Sequence, residues 1–261
     1  MKKYQLFYSV LACLFISILQ AQNTYQETQK DTTFFSTVDY QIKAKFSIGG
    51  SSPLGMPVQI REIISYNPTL QLGLEFNATK WFSDDEKWGI RTGLRFEGKG
   101  MKTDARVKNY YTQIDEGAGR QTKGYFTGKV KTNMKNSYIT FPVLLSYRSS
   151  EKWKLNAGLT FSGLIDKDFH GYVYEGTLRE GTPIGTPVEF EGDARGNYDF
   201  STELNRFQWA AEIGTEYKIN THLLIYTDLN WGLNGLFKKN FDAISFSLYS
   251  IYLNIGFGYH F

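Results

Sequence analysis

The chain has 261 residues, a single Cys, 21% charged side chains, 16% aromatics and a formal net charge of +3. One thiol excludes a disulfide scaffold, and near-neutral charge speaks against a nucleic-acid binder, which would carry a basic stripe. No apolar run after Leu19 reaches the roughly 20 residues of a membrane helix. A membrane β-barrel stays open, because its signal is alternation and not bulk hydrophobicity.

Residues 1–21 read as a secretory signal: Lys2 and Lys3, an apolar stretch Leu6–Leu19, then Leu19-Gln20-Ala21 as a cleavage site. Removing it takes away Lys2, Lys3 and Cys13 and lowers the net charge to +1. Val10-Leu11-Ala12-Cys13 has some likeness to a lipoprotein box, but Leu14-Phe15-Ile16 continue the apolar core past Cys13. The signal-peptide reading is therefore preferred. Residues 22–38, mostly polar, are expected as a periplasmic lead, and 39–261 as one barrel domain.

Eight segments then alternate with period two, as strands with one apolar face must. The first sets Tyr40, Ile42, Ala44, Phe46 and Ile48 against Gln41, Lys43, Lys45 and Ser47. The second sets Leu70, Leu72, Leu74 and Phe76 against Gln71, Gly73, Glu75 and Asn77, and the third Trp88, Ile90, Leu94 and Phe96 against Arg91, Gly93, Arg95, Glu97 and Lys99. The fourth carries Ile139, Phe141, Val143, Leu145 and Tyr147 on its apolar face, and the fifth Trp153, Leu155, Leu159, Phe161 and Ile165, opposite Lys154 and Asn156. The sixth opposes Phe207, Trp209, Ala211 and Ile213 to Gln208, Glu212, Gly214 and Glu216. The seventh opposes Leu223, Ile225, Leu229 and Trp231 to Tyr226, Asp228 and Asn230. The last places Tyr249, Ile251, Leu253, Ile255, Phe257, Tyr259 and Phe261 on one face. No apolar face contains Asp, Glu, Lys or Arg.

Connections alternate short and long. Ser83–Lys87, Ser149–Lys152 and Asn220–His222 are short, whereas about 50–69, 100–136, 167–205 and 236–245 are long. Consecutive antiparallel strands then gather all short turns and both termini at one end, the anatomy of an outer-membrane barrel with periplasmic turns and external loops. Aromatics fall at both strand ends, among them Trp88, Trp153 and Tyr217 beside the short turns and Trp209, Trp231 and Tyr249 beside the long loops. Two such girdles match the two lipid–water interfaces. A soluble sandwich or lipocalin-like barrel also alternates, but aromatic-ended apolar faces about ten residues long favour a spanning strand. A sheet in hydrocarbon must close, so the expected fold is all-β, an eight-stranded antiparallel transmembrane barrel. Pro142 lacks an N–H inside the fourth strand and predicts a bulge or a missing ladder bond.

The last eight residues, Asn254-Ile255-Gly256-Phe257-Gly258-Tyr259-His260-Phe261, resemble the signal read by the outer-membrane barrel-assembly machinery, with Asn254, Gly256, Tyr259 and Phe261 in the signal positions. Tyr138-Ile139-Thr140-Phe141-Pro142-Val143-Leu144-Leu145-Ser146-Tyr147 and the final three strands are similar to the PorT-like outer-membrane barrel family of Bacteroidota. That resemblance implies an eight-stranded barrel in a Gram-negative cell envelope. The family is functionally mixed, one branch being linked to protein secretion and gliding, so it implies no activity.

Lys43, Lys45, Arg91, Arg95 and Lys99 are expected inside the barrel with Glu75, Glu97, Glu212, Glu216 and Asp228. An eight-stranded barrel is narrow enough for side chains to fill it, so these charges should pair and close the bore. The rival reading is a narrow channel for ions or small solutes, lined by charge. His222 and His260 have no catalytic setting, and His170 beside Asp166 and Asp168 is the one place for a surface enzyme. Two carboxylates fall short of a calcium cage, so neither a catalytic centre, a metal nor a cofactor is expected. The leading expectation is a structural or interaction role, with the long loops presenting a binding surface and Tyr125-Phe126-Thr127 and Val188-Glu189-Phe190 extending the wall outside the membrane. The partners expected are outer-membrane lipid, the assembly machinery during biogenesis, and an extracellular or secretion-system protein.

Overall fold

The computed structural model describes residues 38–82, 87–115 and 121–261. The signal, the lead up to Thr37 and all but Lys87 of the turn at 83–87 lie outside them. Twelve strands form one antiparallel sheet: β1 (Val38–Pro53), β2 (Ile60–Asn67), β3 (Gln71–Trp81), β4 (Trp88–Asp115), β5 (Gln121–Arg148), β6 (Trp153–Asp166), β7 (Phe169–Glu180), β8 (Pro187–Phe190), β9 (Gly196–Asp199), β10 (Phe207–Lys218), β11 (Leu223–Gly232) and β12 (Leu248–His260). Among the described residues a 3₁₀ turn at Ser201–Glu203 follows β9. Among the described residues no helix is long and apolar enough to cross a membrane.

The count of twelve corrects the expected eight, and the ring is uneven. Pairing runs β4–β3–β1–β12–β11–β10–β6–β5 and returns to β4. The first and last strands meet through Ile42↔Tyr259 and Lys45↔Gly256, which brings the start of β1 and the end of β12 to the short-turn end. The other four strands come from segments read as loops. β2 pairs with β4, β7 with β5, β8 with β7, and β9 with both β7 and β4. β4 and β5 are 28 residues each and stay paired out to Asp115↔Gln121. β2 escaped detection as a strand because it is exposed almost throughout, so it has no buried face to leave a period of two.

Alternation decides which way each side chain points. Along β1, β3 and β12 the polar residues are buried and the apolar ones exposed, Phe257 to 70%. A water-soluble protein buries these rows, so so large an apolar exterior marks an interaction with something other than water. The apolar core lies elsewhere, in the extension beyond the long-loop end of the circuit. There Val107, Ile114, Phe126, Val130, Phe169, Val173, Leu178 and Phe200 pack together. Pro142 produces no bulge. The β4–β5 ladder keeps its register but skips from Thr92↔Val143 to Arg95↔Thr140, while Pro142↔Thr160 holds on the β6 side.

Candidate functional site

Arg91 and Arg95 are four residues apart on β4, and Glu212 and Glu216 four apart on β10, so each pair lines the same face of its strand. Both arginines are 0% exposed. Arg95 reaches across the bore to hold Glu212 through both terminal nitrogens, at 2.7 and 2.8 Å, while its Nε donates to Glu75 Oε2 at 2.5 Å. Glu75 is the register neighbour of Arg95 on β3. Glu97 pairs with Lys45, lies 3.4 Å from Lys99 and accepts from Thr140 Oγ1 at 2.7 Å. Gly73 lies between Lys45 and Glu97 in the ladder, and a Cβ there would sit 2.8 Å from Lys45 Cε. Its lack of a side chain gives that lysine its path.

A second cluster forms nearer the short turns around Glu216, which contacts Lys43, Arg91 and Lys154, the last at 2.8 Å. Tyr226 closes over Lys43, and Lys99 lies 5.4 Å from the Tyr138 ring centroid and 5.8 Å from that of Tyr252. Two placements differ from the reading of the sequence. Lys154 belongs to the network although it was not counted in it; its position on the polar face of its strand was the available signal. Asp228 is buried among these groups without an ion-pair partner among the described residues, and its Oδ1 accepts no hydrogen bond. A side chain at neighbouring Gly214 would collide with that carboxylate.

Below Glu216 the bore widens into a mouth of about 690 Å³ lined by Asp39, Lys87, Arg148, Lys152, Lys154, Lys218, His222 and His260. Asp39 accepts from Trp81 Nε1 at 2.8 Å and sits 3.4 Å from both Arg148 and His260. Of the C-terminal residues, Asn254 faces inward and accepts from Ser47 Oγ at 2.7 Å. Gly256 lies against the Ala44 carbonyl, Tyr259 stacks on His222, and the Phe261 N–H donates to Tyr40 O at 3.2 Å. His170 is exposed on the outer face of the extension, with Asp168 at 2.5 Å and Asn133 at 3.1 Å. Among the described residues no three His, Cys, Asp or Glu side chains cluster as metal ligands would.

The family described as outer membrane protein beta-barrel domain matches residues 20–238. The chain belongs to that family. It resides in the outer membrane, and the apolar exterior of this outer-membrane barrel is accordingly the lipid-facing surface. No curated protein matches it. Similar solved structures include the attachment invasion locus protein Ail of Yersinia pestis (12% identity, 86% of this chain and 97% of that chain, TM-score 0.32). OprG from Pseudomonas aeruginosa (14%, 85% and 95%, 0.30) and the outer membrane protease OmpT from Escherichia coli (12%, 90% and 100%, 0.30) are others. Likeness at this level carries neither ligand nor activity to this barrel.

A cation on the lipid-facing row should be costly. Ile255→Lys, at mid-length of β12 with the wild-type side chain 43% exposed, is expected to lose about 2–4 kcal/mol. Urea unfolding in lipid vesicles measures it, and an equal substitution at exposed Thr182 should change little.

Proposed function

We propose that this chain is a closed, non-catalytic membrane barrel whose work is to hold a folded platform outside the cell for a protein partner. The eight strands of the pairing circuit cross the membrane, the short turns face the periplasm, and the extension stands on the external side. The observation that carries this reading is the Arg95–Glu212 clasp across the bore, with every ion pair around it buried. A narrow barrel filled in this way has no lumen. A spanning strand needs roughly 9–11 residues, so most of the 28-residue β4 and β5 lies beyond the hydrocarbon.

The outer face of the extension has the residue types that anchor interfaces, Tyr and Arg. Tyr111 and Tyr125 meet edge to face at 5.1 Å, Tyr172 and Tyr174 lie 5.6 Å apart, and Arg195 sits over Tyr172. Burial, then the hydrogen bond to Asp104, raises the Tyr174 phenol above its ordinary pKa, which keeps it a neutral donor. The PorT-like resemblance makes a secretion-system protein one such partner. Asn254, Gly256, Tyr259 and Phe261 serve as the assembly signal.

The charged mouth at the short-turn end favours the rival reading, a narrow channel. Reconstitution into planar bilayers separates the two. The closed barrel shows no stepwise conductance from protein whose fold is verified by heat-modifiable gel migration; reproducible unit steps would overturn it. Removing the outer parts of 100–136 and 167–205 should abolish surface binding and leave the heat-modifiable band in place.

A further inference from the structure

The inner side of the extension encloses a cavity of about 460 Å³, within the range of roughly 300–1,000 Å³ typical of small-molecule sites. None of the described residues lining it is Asp, Glu, Lys or Arg. Its buried wall includes Met101, Val107, Val130, Phe169 and Leu248. Met56 and Ile63 line it as well, yet they are 62% and 45% exposed, so the cavity opens where they stand.

That opening coincides with a break in the sheet. β1 pairs with β3 only as far as Ser47↔Gln71, although it continues beside β12 to Pro53↔Leu248. β2, next in the chain, pairs with β4. Among the described residues no ladder joins β1 to β2. One hydroxyl bridges the seam, Tyr66 Oη donating to Gly49 O at 2.7 Å. The freed Ser51 N–H turns inward to Met101 Sδ at 3.3 Å, a weak acceptor.

The seam lies at the end of the lipid-facing surface. Ile251 lines the cavity and belongs to the outward row of β12 that continues through Leu253, Ile255 and Phe257. Leu54, Met56 and Val58 are exposed on the segment between β1 and β2, and Leu70 precedes the outward row of β3. A ligand arriving from water would first meet an apolar rim. A hydrocarbon chain already in the bilayer would pass from one largely apolar surface to another with no charged side chain to desolvate, the polar part of the wall being the hydroxyls of residues such as Ser51, Thr103 and Thr132, and gain the contacts an unfilled cavity lacks. Met56 and Met101 suit such an occupant, since the unbranched thioether adapts to irregular shapes.

We propose that this cavity receives one acyl chain of a membrane lipid, which enters sideways through the seam between β1 and β2. The assignment rests on the membrane placement of the circuit and is independent of the sealed bore. The test uses full-length protein in phosphatidylcholine vesicles doped with a phospholipid carrying a photoactivatable diazirine midway along one chain, with adducts mapped by peptide mass spectrometry. Adducts are expected on Met56, Ile63 and Met101 as well as on the lipid-facing Leu74 and Phe257. Ile63→Asp puts a charge at the mouth and Ala105→Trp fills the interior; each should lower cavity adducts about tenfold against the Leu74 signal. Heat-modifiable migration checks that each variant is folded, and Ile63→Asp, at an exposed position, is the safer of the two.

Adducts confined to the lipid-facing rows would overturn the proposal, as would cavity adducts indifferent to both substitutions. Cavity labelling by a free diazirine alkane but not by the phospholipid would assign the site to a diffusible apolar molecule instead. Loss of adducts at Leu74 and Phe257 too would remove the membrane placement, whereas conductance steps would remove only the sealed-bore reading.

Discussion

Arg95→Met should destabilise the barrel by about 3–5 kcal/mol, the cost of breaking a buried ion pair from one side. The substitution leaves the Glu75 and Glu212 carboxylates facing each other with the cation between them gone, and both are almost wholly excluded from solvent. Arg95→Lys keeps the charge but not the planar fork that serves two carboxylates at once, so an intermediate loss is expected. Adding Glu212→Leu and Glu75→Gln to Arg95→Met should recover much of the stability, because a buried ionic group replaced as a set can be neutral or better. Equilibrium unfolding in vesicles reads all three. A loss for Arg95→Met below about 1 kcal/mol, the level of exposed pairs, would mean that water reaches the bore and that the barrel is not sealed.

The charges of the bore were legible in the sequence because a strand sorts its side chains by parity. Once Phe46 and Leu74 are assigned outward, Lys45 and Glu75 must point inward, and no tertiary information is needed. Which charges meet was another matter. Arg95 and Glu212 are 117 residues apart and touch only because the circuit closes. Asp228 and Lys154 show the limit from both sides: parity placed both in the bore, but only the three-dimensional arrangement decides that Lys154 reaches Glu216 and that Asp228 makes no ion pair among the described residues, its Oδ1 left without a hydrogen bond. The extension was harder to read because its rule changes along one strand. On β4 the inward row is Arg91, Arg95, Glu97 and Lys99 and then Met101, Val107 and Ile114, so a polar-in segment runs into an apolar-in segment with no turn between them. Gly171, whose added Cβ would strike the Tyr198 ring, and the left-handed Asn109 at the β4 irregularity are further local features that a period-two search cannot register. Tyr125-Phe126-Thr127 and Val188-Glu189-Phe190 were the exception, read as wall segments within the long connections, and they lie in β5 and β8.

Phe126→Ala is expected to loosen the extension by about 3–5 kcal/mol and leave the circuit intact. The ring is 0% exposed and meets Phe190 edge to face at 6.1 Å. The Gly176 backbone lies so close that a methyl there would come within 2.8 Å of Phe126 Cζ, so the vacated space is walled by backbone and cannot simply collapse. At roughly 1.4 kcal/mol per tenfold, a loss of 3 kcal/mol raises the opened population by on the order of a hundredfold. Limited trypsin digestion should therefore cut faster at Lys123 and Arg179, which are exposed on β5 and β7. Heat-modifiable migration should be unchanged, because the charge clusters of the bore make no contact through Phe126. The platform reading makes the outcome sharper still: partner binding should fall although no residue on the outer face has been altered. If heat-modifiable migration failed together with protease resistance, extension and circuit would be one cooperative unit, and the extension could not be a separable platform carried by the barrel.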